Sequence, residues 1–331
     1  MKFTKSLLVM FLIFIVGAGA FAGGRREADR TTVMLAGVEA PATGQSRALI
    51  DIADILNDSG RFNAAAHVAG ALSTDPDHLI TQARTGIPVV VASDPGRLAS
   101  MFNIPDMGIL MAPFILNDPG ILPRLPYIPL VQEWQAQLAE HDIAILAFKY
   151  NGFRSFYTTT PVRNVADLRG LRIRSFPNET GNALARHLGF ANIGMPWGEV
   201  APALHHGAID GCEVQVAAAY GAGIYEVARY LARTNHFMLI TVFVTSHTLL
   251  NRMSPEDREF FIRTVRETAL KYDEIILNEE EPFFQRMRER GVTINEVDIR
   301  EFQNAMAQLH IDNDLGFTPG LKERLFRELG L

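Results

Sequence analysis

The sequence predicts an α/β protein, and three observations carry that expectation. Between Pro161 and Gln215 the chain reads strand, helix, helix, strand, the arithmetic of parallel α/β structure. Within that stretch Leu171-Arg-Ile-Arg174 alternates, so Leu171 and Ile173 share one strand face and Arg172 and Arg174 the other. Pro88-Val-Val-Val-Ala92 is a short continuous apolar run, the pattern of a strand covered on both faces. At 331 residues, 48% hydrophobic and 21% charged, the chain has the composition of a soluble globular protein of one large or two smaller domains.

The N-terminus has its own chemistry. Lys2 and Lys5 precede an unbroken apolar run from Leu7 to Val16, and Ala20-Phe-Ala22 stands before Gly23. That is the pattern of a cleaved signal peptide ending near Ala22. The run is about half the ~20 residues that a membrane span needs, which disfavours the other reading, an uncleaved anchor. Thr32–Leu35 is expected to be the first strand, followed by a loop from Gly37 to Thr43. The next helix carries Leu49, Ile52, Ala53 and Leu56 at helical spacing and stops at Gly60. A second strand is expected at Ala64–Val68. Asp75-Pro76 supplies an N-cap and a proline at the first helical position of a helix ending at Gly86. Ser93-Asp94-Pro95-Gly96 follows the Pro88–Ala92 strand at its carboxyl end, where open α/β sheets bind ligands.

Val131, Trp134 and Leu138 mark another helix, and Ile143–Phe148 a strand leading into Tyr150-Asn-Gly-Phe-Arg154. In the central stretch, Asn178 caps a helix that carries Leu184 and Leu188 and ends before Gly189. A short helix from Gly198 to Gly207 follows, then a strand around Ile209. Ile224–Leu231 is expected to be helical and Phe237–Val244 a long apolar strand. Ser254-Pro255-Glu256-Asp257 opens a helix that persists to Gly291, roughly 50 Å at 1.5 Å per residue, with an expected kink at Pro282. Val292–Ile294 is expected as a strand, and Glu301–His310 and Leu321–Leu329 as the last helices.

Charge and motifs exclude several functions. The formal charge is −6, and removing residues 1–22 deletes two lysines and no acids, giving −8. An acidic chain without a basic stripe argues against nucleic-acid binding. The single cysteine, Cys212, excludes an internal disulfide. Nine histidines show no metal-ligand spacing, and no glycine-rich phosphate loop is present, so neither metal nor cofactor is expected. Cys212 lies near His205 and His206, but two histidines on a helix end give no orienting arrangement. A buried small hydrophobe is the better account of Cys212 than a thiol nucleophile.

Three motifs resemble those of the TRAP transporter solute receptors, the extracytoplasmic binding proteins of tripartite ATP-independent periplasmic transporters (DctP type). They are Asp167-Leu-Arg-Gly170 running to Arg174, Trp197-Gly-Glu-Val200, and Gly207-Ala-Ile-Asp-Gly-Cys-Glu213. Pro113-Phe114 and Thr234-Asn-His236 are also family-like, and the resemblance covers nearly the whole mature chain. It implies a class II-like periplasmic binding protein, with two α/β lobes around a ligand cleft and a long helix spanning both. Lobe I would hold residues 31–150 plus about 240–279, and lobe II residues 151–239 plus about 280–331. It implies a monomeric, periplasmic, non-enzymatic receptor that clamps a small organic acid and delivers it to TRAP permease subunits. The alternatives are a receptor for an ATP-driven importer, which would share the lobes, and a secreted cysteine hydrolase.

The resemblance also assigns residues. Arg174 would make the principal carboxylate salt bridge, a task suited to a planar fork of donors. Arg154 would be the second cation. Trp197 matches an aromatic lying along the ligand, with a core tryptophan as the other reading. Asp94 would accept hydrogen bonds from ligand hydroxyls or cap the next helix. Glu213 would touch ligand or orient an arginine, and Arg172 is read as structural and deeper in the strand. The family's usual asparagine after that glutamate is Val214 here, followed by Gln215, which we count with the site. Its usual tyrosine after Glu-Val is Ala201, with Pro202 next. These departures enlarge the apolar share of the site and prevent copying a substrate from any relative.

Overall fold

The computed structural model describes residues 30–311 and 313–331, so the expected signal peptide lies outside the described residues. Nine strands are present among the described residues: β1 (Thr31–Ala36), β2 (Phe62–His67), β3 (Val89–Ser93), β4 (Ile143–Thr158), β5 (Arg172–Arg174), β6 (Ala191–Asn192), β7 (Gly211–Gln215), β8 (Tyr230–Ser246) and β9 (Thr293–Asn295). They form one sheet in the order β2-β1-β3-β8-β4-β7-β5-β6, with β9 added to β8. β1 pairs in parallel with β2 and β3, and β5 in parallel with β6 and β7. The long strands β4 and β8 are antiparallel to each other and join these two parallel halves. This is the two-lobed α/β arrangement the family resemblance implied.

Helices cover the sheet where their apolar faces require it. The first, Gly44–Asp58, buries Leu49, Ile52 and Leu56 against Val33, Leu35 and Phe261. Thr43 caps it by accepting from the Ser46 amide. The longest helix, Pro255–Glu289, starts on the Ser254 cap and runs through Pro282 without interruption for 35 residues. Its first half packs Phe261, Val265 and Ala269 into the core beside β1, and its second half packs Phe284 and Met287 against Tyr157 and Cys212. One helix therefore braces both halves of the molecule.

Two expectations fail for a common reason. Ile224–Leu231 is not a helix: Ile224–Glu226 forms one 3₁₀ turn and Tyr230 opens β8, 17 residues long. Tyr230, Leu231 and Ala232 pair with Thr158, Tyr157 and Phe156, and that ladder overrides the local helical pattern. β4 likewise does not stop at Phe148. It continues to Thr158 by bulging between Tyr150 and Phe153, where Gly152 takes a φ of 101° that side-chain-bearing residues rarely adopt.

Candidate functional site

Strand ends and two loops surround a cavity of about 280 Å³, a size suited to a small metabolite. Of the residues singled out in the sequence, Arg174, Arg154, Trp197, Asp94 and Gln215 line it. Glu213 does not; it lies behind Arg154 with no exposed surface.

The bulge in β4 and the ladder to β7 set Arg154 beside Glu213 and Gln215. The Arg154 guanidinium donates through Nε and Nη2 to both carboxylate oxygens of Glu213, with Nη2–Oε1 at 2.8 Å, and also to the Glu213 carbonyl. Its Nη1 faces Gln215 Oε1 at 3.5 Å, and Phe176 packs beneath it at 4.3 Å. Ser175 Oγ donates to Glu213 Oε1 at 2.8 Å. Burial alone would raise the Glu213 carboxyl, but the Arg154 charge and hydrogen bonds, with the His236 ring 3.5 Å away, hold it at about 2.

Arg174 ends β5 in a different condition. It is 6% exposed, and its Nε and Nη2 donate only to the Met195 carbonyl, at 3.3 and 3.2 Å. Among the described residues no carboxylate lies within ion-pair distance of it. The Trp197 indole stands 5.7 Å from the guanidinium. Burial, then the neighbouring Arg154 charge, pushes Arg174 down to about 10. A buried arginine so placed has unspent donors and an unbalanced charge.

On the β1–β3 side, Asp94 Oδ1 caps the helix Pro95–Phe102 by accepting from the Arg97 amide at 2.8 Å. Arg97 Nη1 pairs with Asp77, and its Nε lies 3.6 Å from Asp94 Oδ2. Glu39, in the loop after β1, is 6% exposed. Its Oε1 accepts from Asn151 Nδ2 and Gln215 Nε2, both at 2.7 Å. Burial raises its carboxyl above the usual range against the pull of the Asn151 amide and the Lys149 and Arg154 charges.

Sequence reasoning missed Glu39, Gln45, Arg97 and Thr241, all of which line the cavity. Glu39 and Arg97 follow the carboxyl ends of β1 and β3, so the strand-end rule that selected Asp94 was the available signal. Gln45 and Thr241, the latter in mid-strand, carried none. Arg172 is not deep in the strand: it is exposed and paired with Asp210 at 2.7 Å, away from the cavity. Cys212 is fully buried, and burial pushes its thiol up to about 12. His205 and His206 are exposed, so they do not share its environment.

Among the described residues no helix is long and apolar enough to cross a membrane, and no cluster of three metal-ligating side chains occurs. The family model for bacterial extracellular solute-binding protein, family 7, matches residues 37–313. A solute-binding protein of Chromohalobacter salexigens is 29% identical over 254 residues, 76% of this chain and 74% of that one. The 2,3-diketo-L-gulonate-binding periplasmic protein YiaO of Escherichia coli is 26% identical over 204 residues, 61% of this chain and 62% of its own. A TRAP periplasmic solute-binding protein of Actinobacillus succinogenes with bound L-galactonate superposes with a TM-score of 0.85 at 25% identity, covering 91% of this chain and 99% of that one. Another, from Xanthobacter autotrophicus with bound β-D-galacturonate, gives 0.82 at 25% identity, covering 90% and 99%. The chain belongs to family 7 of the bacterial extracellular solute-binding proteins, the solute receptors of TRAP transporters.

Proposed function

We propose that this receptor captures a small organic acid anion in the cavity between its lobes, with Arg174 as the carboxylate clamp, and delivers it to a TRAP permease. The observation that carries the reading is Arg174 itself, a buried cation without a carboxylate partner among the described residues. Bringing it out of water is costly unless an anion completes the pair. Arg154 is held by Glu213 and contributes fixed donors at the cavity wall, with Glu213 as its positioning residue. Trp197 forms a flat wall beside the carboxylate, and Asp94 and Gln215 complete the lining. That 2,3-diketo-L-gulonate, L-galactonate and β-D-galacturonate, the ligands of the relatives above, are all acids supports the same reading. A buried Cys212 with a raised pKa favours a receptor without catalysis over a thiol hydrolase.

In this reading the protein is exported by a signal peptide cleaved near Ala22 and acts in the periplasm as a monomer. We place its lobes at residues 31–150 plus about 240–279 and 151–239 plus about 280–331. A thermal-shift screen of small acids identifies binders, because a ligand of the native state raises the melting temperature by mass action. Calorimetry on the best binder then tests the clamp. Arg174→Ala should cost about 2–5 kcal/mol of affinity, and Arg174→Lys should also weaken binding because an ammonium cannot reproduce the fork. Wild-type affinity in a folded Arg174→Ala protein would remove Arg174 from the site.

A further inference from the structure

Most charges around the cavity are paired off. Arg154 is held by Glu213, and Arg47 by Glu279 of the long helix. Arg97 meets Asp94 on one side and the half-exposed Asp77 on the other. Arg174, Glu39, Lys149 and Asp273 have no such partner among the described residues. Lys149, on β4, is fully buried, and its Nζ donates to the Tyr150 carbonyl at 2.7 Å. Among the described residues no carboxylate lies within ion-pair distance of it, so its other N–H groups are unspent. Asp273, on the long helix, is 8% exposed and accepts from the Tyr150 amide at 2.8 Å. Glu39 accepts from Asn151 on the same stretch of β4. Residues 149–151 thus gather three ionisable groups from three elements, held by amides and a carbonyl and by no direct ion pair.

The surrounding elements add little further charge. The helix Gly44–Asp58 brings Arg47 toward Lys149, already matched by Glu279. β4 brings Arg154 toward Glu39, already matched by Glu213. The long helix also carries Glu280, which accepts from the Tyr150 hydroxyl. β8 sets the uncharged Thr241 opposite Lys149. In the ionised, ligand-free protein Arg174 and Lys149 supply two positive charges, and Glu39 and Asp273 two negative ones. An anion seated on Arg174 tips that balance to −1, in an interior that screens charge poorly. A proton restores it without needing a coordination shell or space of its own.

Resting on the anion reading of Arg174, we propose that this receptor binds its ligand together with a proton, taken up by the buried cluster of Glu39, Lys149 and Asp273. Burial raises the Asp273 and Glu39 carboxyls and lowers the Lys149 ammonium, which moves proton exchange toward neutral pH from both sides. The proton belongs to the cluster and not to one residue. The sign follows from linkage. A bound anion raises the proton affinity of the cluster, so a bound proton raises the affinity for the anion by the same factor, and binding tightens as pH falls.

The experiment is calorimetry on the full chain at neutral pH, in buffers of low and high ionisation enthalpy. L-galactonate, D-glucuronate, pyruvate and benzoate are the probes, and the strongest binder is carried forward. The observed heat should change with the buffer's own heat in the direction of proton uptake. Affinity should fall about 10-fold from about pH 6.5 to about pH 8.5, half the slope that one full proton per ligand would give. Asp273→Asn keeps an oxygen for the Tyr150 amide and removes the charge, so the ligand itself then completes the balance. Uptake should vanish in this variant and the pH dependence should flatten. A buffer-independent heat in the wild type, or undiminished uptake in a folded Asp273→Asn protein, overturns the proposal. If Arg174→Ala abolishes binding while the wild-type heat is buffer-independent, the clamp stands and only the proton falls. If Arg174→Ala leaves affinity unchanged, the clamp falls and the proton reading with it. The free protein supplies an arm that needs no ligand. Carbon NMR of aspartate-labelled protein, with the Asp273 resonance assigned by its loss in Asp273→Asn, should show that carboxyl titrating at least about one pH unit above the ordinary value of about 3.9. Titration at the ordinary value overturns the proposal.

Discussion

Two arginines sit in the cavity wall at similar depth, 3% exposed for Arg154 and 6% for Arg174, with opposite partners. Arg154 is matched by Glu213, whose carboxyl is held at about 2 instead of its ordinary value near 4.5. A depressed folded-state pKa means the unfolded chain binds the proton more readily in that window. The stability that Glu213 contributes is therefore fully present above about pH 4.5 and is lost as pH falls toward 2. Glu213→Gln should destabilise the protein by about 3–5 kcal/mol at pH 7, because it leaves Arg154 buried and uncompensated. It should also flatten the loss of stability on acidification. Urea denaturation of both proteins at pH 7 and pH 3 checks this, and an equal acid loss in both would show that the pair does not carry it. Arg154, Arg174 and Glu213 were legible because each lies inside a local motif. Glu39 had only its place after a strand to mark it: its partners Asn151 and Gln215 lie 112 and 176 residues away, and only the folded sheet brings them together.

The element that sets the site's geometry is the bulge in β4. The long helix grips it from two positions on one face, two turns apart: Asp273 Oδ1 accepts from the Tyr150 amide at 2.8 Å, and Glu280 Oε1 accepts from the Phe153 amide at 3.3 Å and from the Tyr150 hydroxyl. Gly152 sits between these contacts at a φ of 101°, and a Cβ there would lie 2.9 Å from Gln215 Cβ. Gly152→Ala should therefore cost about 1–3 kcal/mol from backbone strain. It should also weaken ligand binding by moving Gln215, which bridges Glu39 and Arg154. Chemical denaturation with calorimetry reads both, and unchanged values for both would mean the bulge tolerates a side chain. From the sequence the strand is expected to end at Phe148 and lead into Tyr150-Asn-Gly-Phe-Arg154. Pairing with β8 on one side and β7 on the other carries the strand through it. Elements whose signals are local came through well: Asp75-Pro76, Asn178 with Gly189, and Ser254-Pro255 all mark helix ends where capping chemistry places them. The 3₁₀ run Pro105–Met111 escaped because its buried Ile109, Leu110 and Met111 follow neither helix nor strand period.

At the scale of the molecule, β4, β8 and the helix Pro255–Glu289 are the elements that pass from one half to the other. Long strands crossing between lobes can bend with small changes per residue, whereas each packed half moves as a body. The two halves approach closely around the cavity. A Cβ at Gly198 would lie 3.5 Å from Thr74 Cγ2, and one at Gly96 would lie 3.5 Å from Asn178 Nδ2. At the floor, Gln215 on β7 donates to Glu39 in the loop after β1. On the proposed reading, a ligand held by Arg174 on one side and by Asp94 on the other gains its full contacts only when the halves are together. It must then shift the population toward closure, by no more than its difference in affinity for the two states. Closure also withdraws water from the arginine–carboxylate pair and strengthens it. Small-angle scattering with saturating ligand should give a smaller radius of gyration than the ligand-free protein, and Arg174→Ala at the same ligand concentration should stay near the ligand-free value. An unchanged radius in the wild type, with binding confirmed by calorimetry in the same sample, would refute closure and leave a receptor whose cavity fills without domain motion.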